Sequence, residues 1–208
     1  TNDFRMSYFM PPIAPIKNEL GRIVTPATLI PSCEVSVEQV FQMITCNENL
    51  KILTEQVRNS GDIRTAKASL LPYVTPCGTF SRRNSKCFVA SSHLVVVDID
   101  HLDSYQEAVE MRNTLFNDHL LHPVLTFISP SGRGVKAFVP YDHLPIANDT
   151  NSIIENMKLA MMFTVLLYGT ETPPPFGEKR KGVDFSGKDI VRSCFLSHDP
   201  GALFRNNK

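Results

Sequence analysis

The run Val95-Val96-Val97-Asp98-Ile99-Asp100 constrains this chain more than any other stretch. Its unbroken apolar character predicts a strand buried on both faces, as central strands are. Residues two apart in a strand point the same way, ~6–7 Å apart along it, so Asp98 and Asp100 project together from the strand's end. Two such carboxylates repel each other unless a cation lies between them. Mg2+ or Mn2+, hard ions that prefer oxygen ligands, convert the pair into a metal site. The plainer reading is that both aspartates cap a strand and begin a loop; the triple valine ahead of them weighs against it.

Around this strand the pattern alternates. Extended, proline-punctuated stretches at Met6–Ile13 and Arg22–Ile30 precede three helices: one capped by Ser36 with Gln39 and running to Cys46, one over Glu48–Asn59, and one over Ile63–Leu70 that Pro72 closes. Short strands are predicted at Gly78–Ser81, Lys86–Ala90 and His93–Ile99. Asp103 with Gln106 opens a helix to Asn117, His122–Ile128 and Val135–Tyr141 form two strands, and Ser152 with Glu155 caps a helix whose apolar residues run nearly all the way round, predicting deep burial. Pro173-Pro174-Pro175 and Lys179-Arg180-Lys181 read as a surface loop, followed by Val183–Phe185 and a final strand at Ser193–Ser197. The order strand, helix, strand, strand, helix, strand is that of a split βαβ, RRM-like sheet. The expected fold class is therefore α+β, with helices packed on the sheet of a core at 71–208 and an extended and helical appendage at 1–70 packed on that core.

At 208 residues and 42% hydrophobic, the chain can bury a core without disulfides. Its 21 basic and 21 acidic side chains balance, which excludes a bulk field drawing it to nucleic acid or anionic membrane and leaves polyanion binding to local clusters. Arg82, Arg83 and Lys86, or Lys179, Arg180 and Lys181, are such clusters; both also read as solvated loop charges. Five scattered cysteines favour a reducing, cytoplasmic setting. Cys77, Cys87 and His93 are the nearest approach to a zinc set, against the reading of the thiols as small buried hydrophobes. The longest apolar run, Leu159–Tyr168, is half the ~20 residues of a spanning helix, no signal peptide is read, and a soluble protein without a membrane partner is expected. The missing initial Met hints at a fragment of a longer polypeptide.

Two further motifs carry chemistry. Ser129-Pro130-Ser131-Gly132-Arg133-Gly134-Val135-Lys136 lies between two strands; its spaced glycines let backbone N–H groups approach phosphate, and Arg133 and Lys136 add charge. It is not a P-loop, and it also reads as an ordinary hairpin turn. Asp184 is a candidate third metal ligand, Asp189 a turn cap, and Arg192 a partner for Asp189 or for a triphosphate.

Taken in order, the paired aspartates, the small basic loop and the late Asp followed by Arg resemble motifs I, II and III of the archaeo-eukaryotic primase superfamily, nearest to the VirE N-terminal-type primase-like domains of bacterial mobile elements, over roughly Leu70–Phe204. The resemblance implies a primase-like core and template-directed nucleotidyl transfer in replication of a mobile element. In it Asp98, Asp100 and Asp184 hold two Mg2+ or Mn2+ ions ~3.5–4 Å apart. Ser131, Gly132, Arg133, Gly134, Lys136 and Arg192 take the nucleoside triphosphate. The implied partners are a DNA or RNA template and a helicase in the same or a neighbouring polypeptide. Lys136 stands where the superfamily's second motif usually carries His; lysine binds phosphate as a point charge, so the departure bears more on catalysis than on binding. His198, after the last strand, is a further candidate near the site.

Two alternatives compete. A degenerate primase-like domain would bind nucleotide or nucleic acid without chemistry, a reading that charge neutrality and Lys136 favour and the three carboxylates disfavour. A haloacid-dehalogenase-type phosphatase would use Asp98 as nucleophile, with Thr126 or Ser129 and Lys136 or Lys158 completing its set, but 97 residues precede Asp98 and His101-Leu102 follow Asp100 where that family commonly has Gly-Thr.

Overall fold

The computed structural model describes residues 4–145, 151–169 and 182–206. In chain order the elements are β1 (Met6–Phe9), β2 (Ile16–Lys17), β3 (Ile23–Thr25), β4 (Cys33–Val35), α1 (Val37–Cys46), α2 (Glu48–Arg58), α3 (Ile63–Leu70), β5 (Tyr73–Thr75), β6 (Gly78–Phe80) and β7 (Phe88–Ser91). They continue as β8 (Leu94–Asp100), α4 (Tyr105–Phe116), β9 (Leu125–Ile128), β10 (Val135–Pro140), α5 (Ile153–Tyr168), β11 (Gly182–Val183), β12 (Cys194–Phe195) and β13 (Leu203–Phe204). The class is α+β, and the Asp98/Asp100 stretch is a strand as expected.

The main sheet has the order β11-β8-β10-β9-β13, every pairing antiparallel. With α4 between β8 and β9, and α5 between β10 and β11, this is a split βαβ arrangement. Its fourth strand differs from expectation. The Ser193–Ser197 segment contributes β12 to a second sheet, and the short β11 beside Asp184 takes the place next to β8.

β8 is buried on both faces, and its two rows of side chains enter different cores. Val95, Val97 and Ile99 pack with Val135, Ala137 and Val139 of β10 against Ala108 and Leu115 of α4 and Met157, Ala160 and Met161 of α5. Leu94 and Val96, with Phe127 and Phe138, face the other way, onto Met6, Val35, Val40, Ile44, Leu50, Val57 and Val74. That second layer is the sheet β12-β5-β1-β4 with α1 and α2, so β1 of the N-terminal segment lies inside a sheet completed by strands from beyond residue 70. A row of Leu, Val and Phe on the second face of the main sheet requires such a cover, because each buried side chain of this kind contributes about 1.5–3 kcal/mol.

The helix starts are locally encoded. Ser36 and Gln39 form the reciprocal capping box of α1, and the Ser152 hydroxyl accepts from the Glu155 N–H at α5. At α4 the cap is one residue later than expected, Ser104 accepting from Glu107 N–H, while the Glu107 carboxylate accepts from Asp103 N–H. α5 is not buried all round: Asn156, Met157, Ala160, Met161 and Thr164 face inward, whereas Ile154, Met162 and Leu166 are exposed, Leu166 at 77%. Among the described residues no helix is long and apolar enough to cross a membrane. The triple proline and Lys179-Arg180-Lys181 lie outside the described residues.

Candidate metal centre

The even-numbered row of β8, Leu94 and Val96, continues into Asp98 and Asp100, so the two carboxylates leave the strand on the face covered by the N-terminal layer. They line a cleft of about 440 Å3 between the two sheets. β11 brings Asp184 alongside: Gly182 and Val183 pair with Asp100 and Ile99, and the Asp184 N–H donates to the Asp98 carbonyl at 2.9 Å. Ligand oxygens of Asp98, Asp100 and Asp184 lie within 4.8 Å of one another, and among the described residues these are the His, Cys, Asp or Glu side chains that converge in this way.

Each carboxylate has a different environment. Asp98 is 4% exposed. Its Oδ2 accepts from the Lys136 ammonium at 2.7 Å and from Arg192 Nη2 at 3.4 Å, while its Oδ1 is buried without a hydrogen-bond partner. An unpaired buried carboxylate oxygen is costly, and a cation is the natural complement for one. For Asp100, burial first and the Asp98 charge second raise the carboxyl pKa above its ordinary value. Partial burial opposes ionisation of Asp184, but the Ser186 N–H and Arg192 overcome it and lower its pKa. Asp184 Oδ1 accepts from Ser186 N–H and Oδ2 from Arg192 Nη2, both at 2.9 Å.

Lys136 sits opposite Asp98 in the β8–β10 register. Burial alone lowers its pKa; the Asp98 carboxylate more than offsets this and holds the ammonium charged. Two glycines admit the arrangement. A Cβ on Gly134 would lie 2.8 Å from the Ile99 carbonyl and 3.2 Å from Asp100 Oδ1, and one on Gly187 only 2.4 Å from the Val96 carbonyl.

The opposite wall of the cleft includes two cations not foreseen as part of it, Lys67 of α3 and Arg83 of the β6–β7 connection. Lys67 is half-buried over the Phe195 ring, and its ammonium has no hydrogen bond or ion pair among the described residues. Burial, then the nearby Lys136 charge, lowers its pKa. Arg83 donates to the Ile13 carbonyl at 2.7 Å and lies over Tyr73, but its Nε is buried without a partner. Lys67 precedes the aspartate pair by some thirty residues in another sheet's layer, so no local spacing marks it; Arg83 was visible only as one of a surface cluster.

The Ser129–Lys136 loop is less available to phosphate than expected. Gly132 N–H donates to the Ser129 carbonyl and Arg133 N–H to Ser131 Oγ, so both are engaged within the turn. Arg133 is exposed and grips the Leu102 and Asp103 carbonyls at 3.0 and 3.1 Å, outside the cleft lining. Arg58, unmarked in the sequence, holds the Ser129 and Pro130 carbonyls from α2. Ser129, Ser131 and Lys136 do line the cleft, as does Arg192, whose guanidinium engages the Asp184 and Asp98 carboxylates rather than that of Asp189. Asp189 caps its own turn at the Val191 N–H.

His198 lies outside the lining, its N–H on Thr54 Oγ1. Lys158 pairs with Glu155 on the exposed side of α5 and lies outside the cleft lining, so of the residues the phosphatase alternative named to complete its set only Ser129 and Lys136 line the cleft. Cys77, Cys87 and His93 do not converge: Cys77 is fully buried and burial pushes its thiol up to about 12, while His93 pairs with Asp142 at 2.9 Å.

Residues 65–204 match the model of a family described as BT4734-like, N-terminal domain. No curated protein and no solved structure matches the chain.

Proposed function

The chain belongs to the BT4734-like, N-terminal domain family, and we propose that it is a divalent-metal-dependent nucleotidyl-transfer domain acting on a nucleoside triphosphate and a nucleic-acid strand. One observation carries the reading: a buried, unpartnered carboxylate oxygen, Asp98 Oδ1, in a cleft that also contains the unpaired ammonium of Lys67 and the unpartnered Nε of Arg83. A ligand that matches this cleft brings a cation for the carboxylates and an anion for the basic wall, which describes a metal-bound polyphosphate.

Asp98 and Asp100, with Asp184 beside them, are the residues to hold Mg2+ or Mn2+. When bound, the ion supplies Lewis-acid polarisation of the α-phosphate and neutralises charge on the leaving pyrophosphate. Lys67 and Arg83 hold the phosphate chain from across the cleft. Lys136 and Arg192 hold Asp98 and Asp184 in place. In the transfer a 3′-oxygen bonds to the α-phosphorus, the bond from that phosphorus to the pyrophosphate oxygen breaks, and the hydroxyl proton leaves to solvent. The order of the acidic pair, basic loop and late Asp, which resembles the primase superfamily, supports a template strand as second substrate and a replicative setting with a helicase partner. Arg82 and Lys86, exposed beside Arg83, are positioned in sequence to meet that strand.

Calorimetric titration of a deoxynucleoside triphosphate in the presence of Mn2+ is the test, followed by extension of a labelled primer on a template. Binding that needs Mn2+ and disappears in a folded Asp98→Ala, Asp100→Ala variant supports the proposal; absence of metal-dependent binding in the intact protein overturns it. A second reading, nucleotide binding without chemistry, is favoured by the Lys136 ion pair on the central aspartate. Metal-dependent binding with no primer extension selects it.

A further inference from the structure

Resting on the metal-dependent reading above, we infer that this centre holds one divalent cation rather than a pair, and that the Lys136 ammonium occupies the position a second ion would need. Two ions ~3.5–4 Å apart share a carboxylate that offers one oxygen to each. Asp98 is the central member of the trio, yet only one of its oxygens is open. Its Oδ2 already accepts from Lys136 at 2.7 Å and from Arg192 at 3.4 Å.

Neither cation is a loose surface group. The Lys136 side chain is 11% exposed and that of Asp98 6%, and they face each other across paired strands, so the ammonium has no low-cost way out to solvent. Arg192 is held by Asp184 as well, at 2.9 Å, and Asp184 Oδ1 is taken by the Ser186 N–H. The carboxylate oxygens left are Asp98 Oδ1, buried without a partner, and those of Asp100, which make no hydrogen bond among the described residues. One or two carboxylates with waters and substrate phosphate are the usual complement of a single Mg2+.

Charge leads to the same count. Three carboxylates facing Lys136 and Arg192 leave one negative charge uncompensated. One divalent ion brings the cluster to a single positive charge, suited to a phosphate chain; a second brings it to three positive charges within a few ångströms, with Lys67 nearby.

Mn2+ counted by equilibrium dialysis, with its electron paramagnetic resonance spectrum, tests this without any turnover. The expected result for the intact protein is one Mn2+ per chain with an uncoupled six-line spectrum. In Lys136→Gln, which frees Asp98 Oδ2 from the ammonium, a second Mn2+ and an exchange-coupled spectrum are expected. Lys136→Arg, which keeps a cation there if the glutamine variant does not fold, retains one. Two coupled ions in the intact protein overturn the inference and leave the proposed function standing. A Lys136→Gln protein that folds and still takes a single ion also overturns it. No bound Mn2+ in the intact protein, with or without a deoxynucleoside triphosphate, overturns both.

Discussion

Asp118 and Asp100 are carboxylates perturbed in opposite directions, with different consequences. Asp118 Oδ1 accepts the Leu120 and Leu121 N–H groups at 2.8 Å, and its Oδ2 accepts the Tyr168 hydroxyl at 2.5 Å. Slight burial works against the charge, but the Tyr168 hydrogen bond and then the two backbone donors prevail and lower the pKa. A carboxyl depressed in the folded state stabilises it above the ordinary value of 3.8 and loses that contribution as pH falls through the folded value. Tyr168→Phe should therefore lower the melting temperature at pH 7 and make it less sensitive to acid, read from melts between pH 3 and 7 (about the span of the carboxyl titration). Asp100 is held near Asp98 with no compensating hydrogen bond among the described residues. Asp100→Asn should raise the melting temperature of the metal-free protein at neutral pH and abolish the stabilisation that Mn2+ gives the parent, checked by paired melts with and without the ion. Cys77 and Cys194, whose thiols burial pushes up to about 12, should resist iodoacetamide in the native state, while exposed Cys33 and Cys46 are labelled; mass spectrometry separates the two classes.

Among elements, β8 was the most legible, whereas α5 was legible as a helix capped by Ser152 but not in how much of it is buried. An unbroken apolar run has one stable place in a layered protein, the middle of a sheet, and the alternation of side chains then puts Asp98 and Asp100 on a shared face. α5 has apolar residues on every side, but its buried residues lie on the face toward β8 and β11 while Ile154, Met162 and Leu166 are exposed, so composition overstated its burial. Strands of two or three residues such as β4, β11 and β13 carry no period to read; they exist because a neighbouring strand offers a ladder. The ion pair that fastens α4 was equally invisible. Arg112 Nη1 contacts both oxygens of Asp199, at 2.9 and 3.0 Å, and Asp199 Oδ2 also accepts the Ile128 N–H of β9. With Asp199 1% exposed, Arg112→Met leaves a buried charge without its partner and should cost about 3–5 kcal/mol, measured as a shift in urea unfolding at unchanged m-value.

For the molecule as a whole, the segment before residue 71 is the feature that pattern reading placed least well. It is visible as extended stretches and helices, but nothing local says that β1 enters a sheet between β4 and β5, or that Lys67 faces the aspartates. Those relations depend on contacts between residues far apart in sequence. The family match begins at 65, inside α3, and leaves out β1, α1 and α2, which cover Val96, Phe127 and Phe138. A fragment spanning 65–204 should consequently lack a cooperative thermal transition and bind a hydrophobic dye, whereas the full chain melts sharply; a sharp melt of the fragment would mean that the second core is dispensable.

Placing the acids on one sheet and the unpaired ammonium on the layer facing it makes the cleft a seam. Whatever fills it with matched charge rivets the two halves together, so occupancy is felt throughout the molecule as resistance to coming apart. For a tight ligand that resistance grows with the logarithm of its concentration, about 1.4 kcal/mol for each tenfold. The protein is in this sense its own indicator: a panel of metal and phosphate compounds can be ranked by how far each delays melting, before any reaction has been assayed.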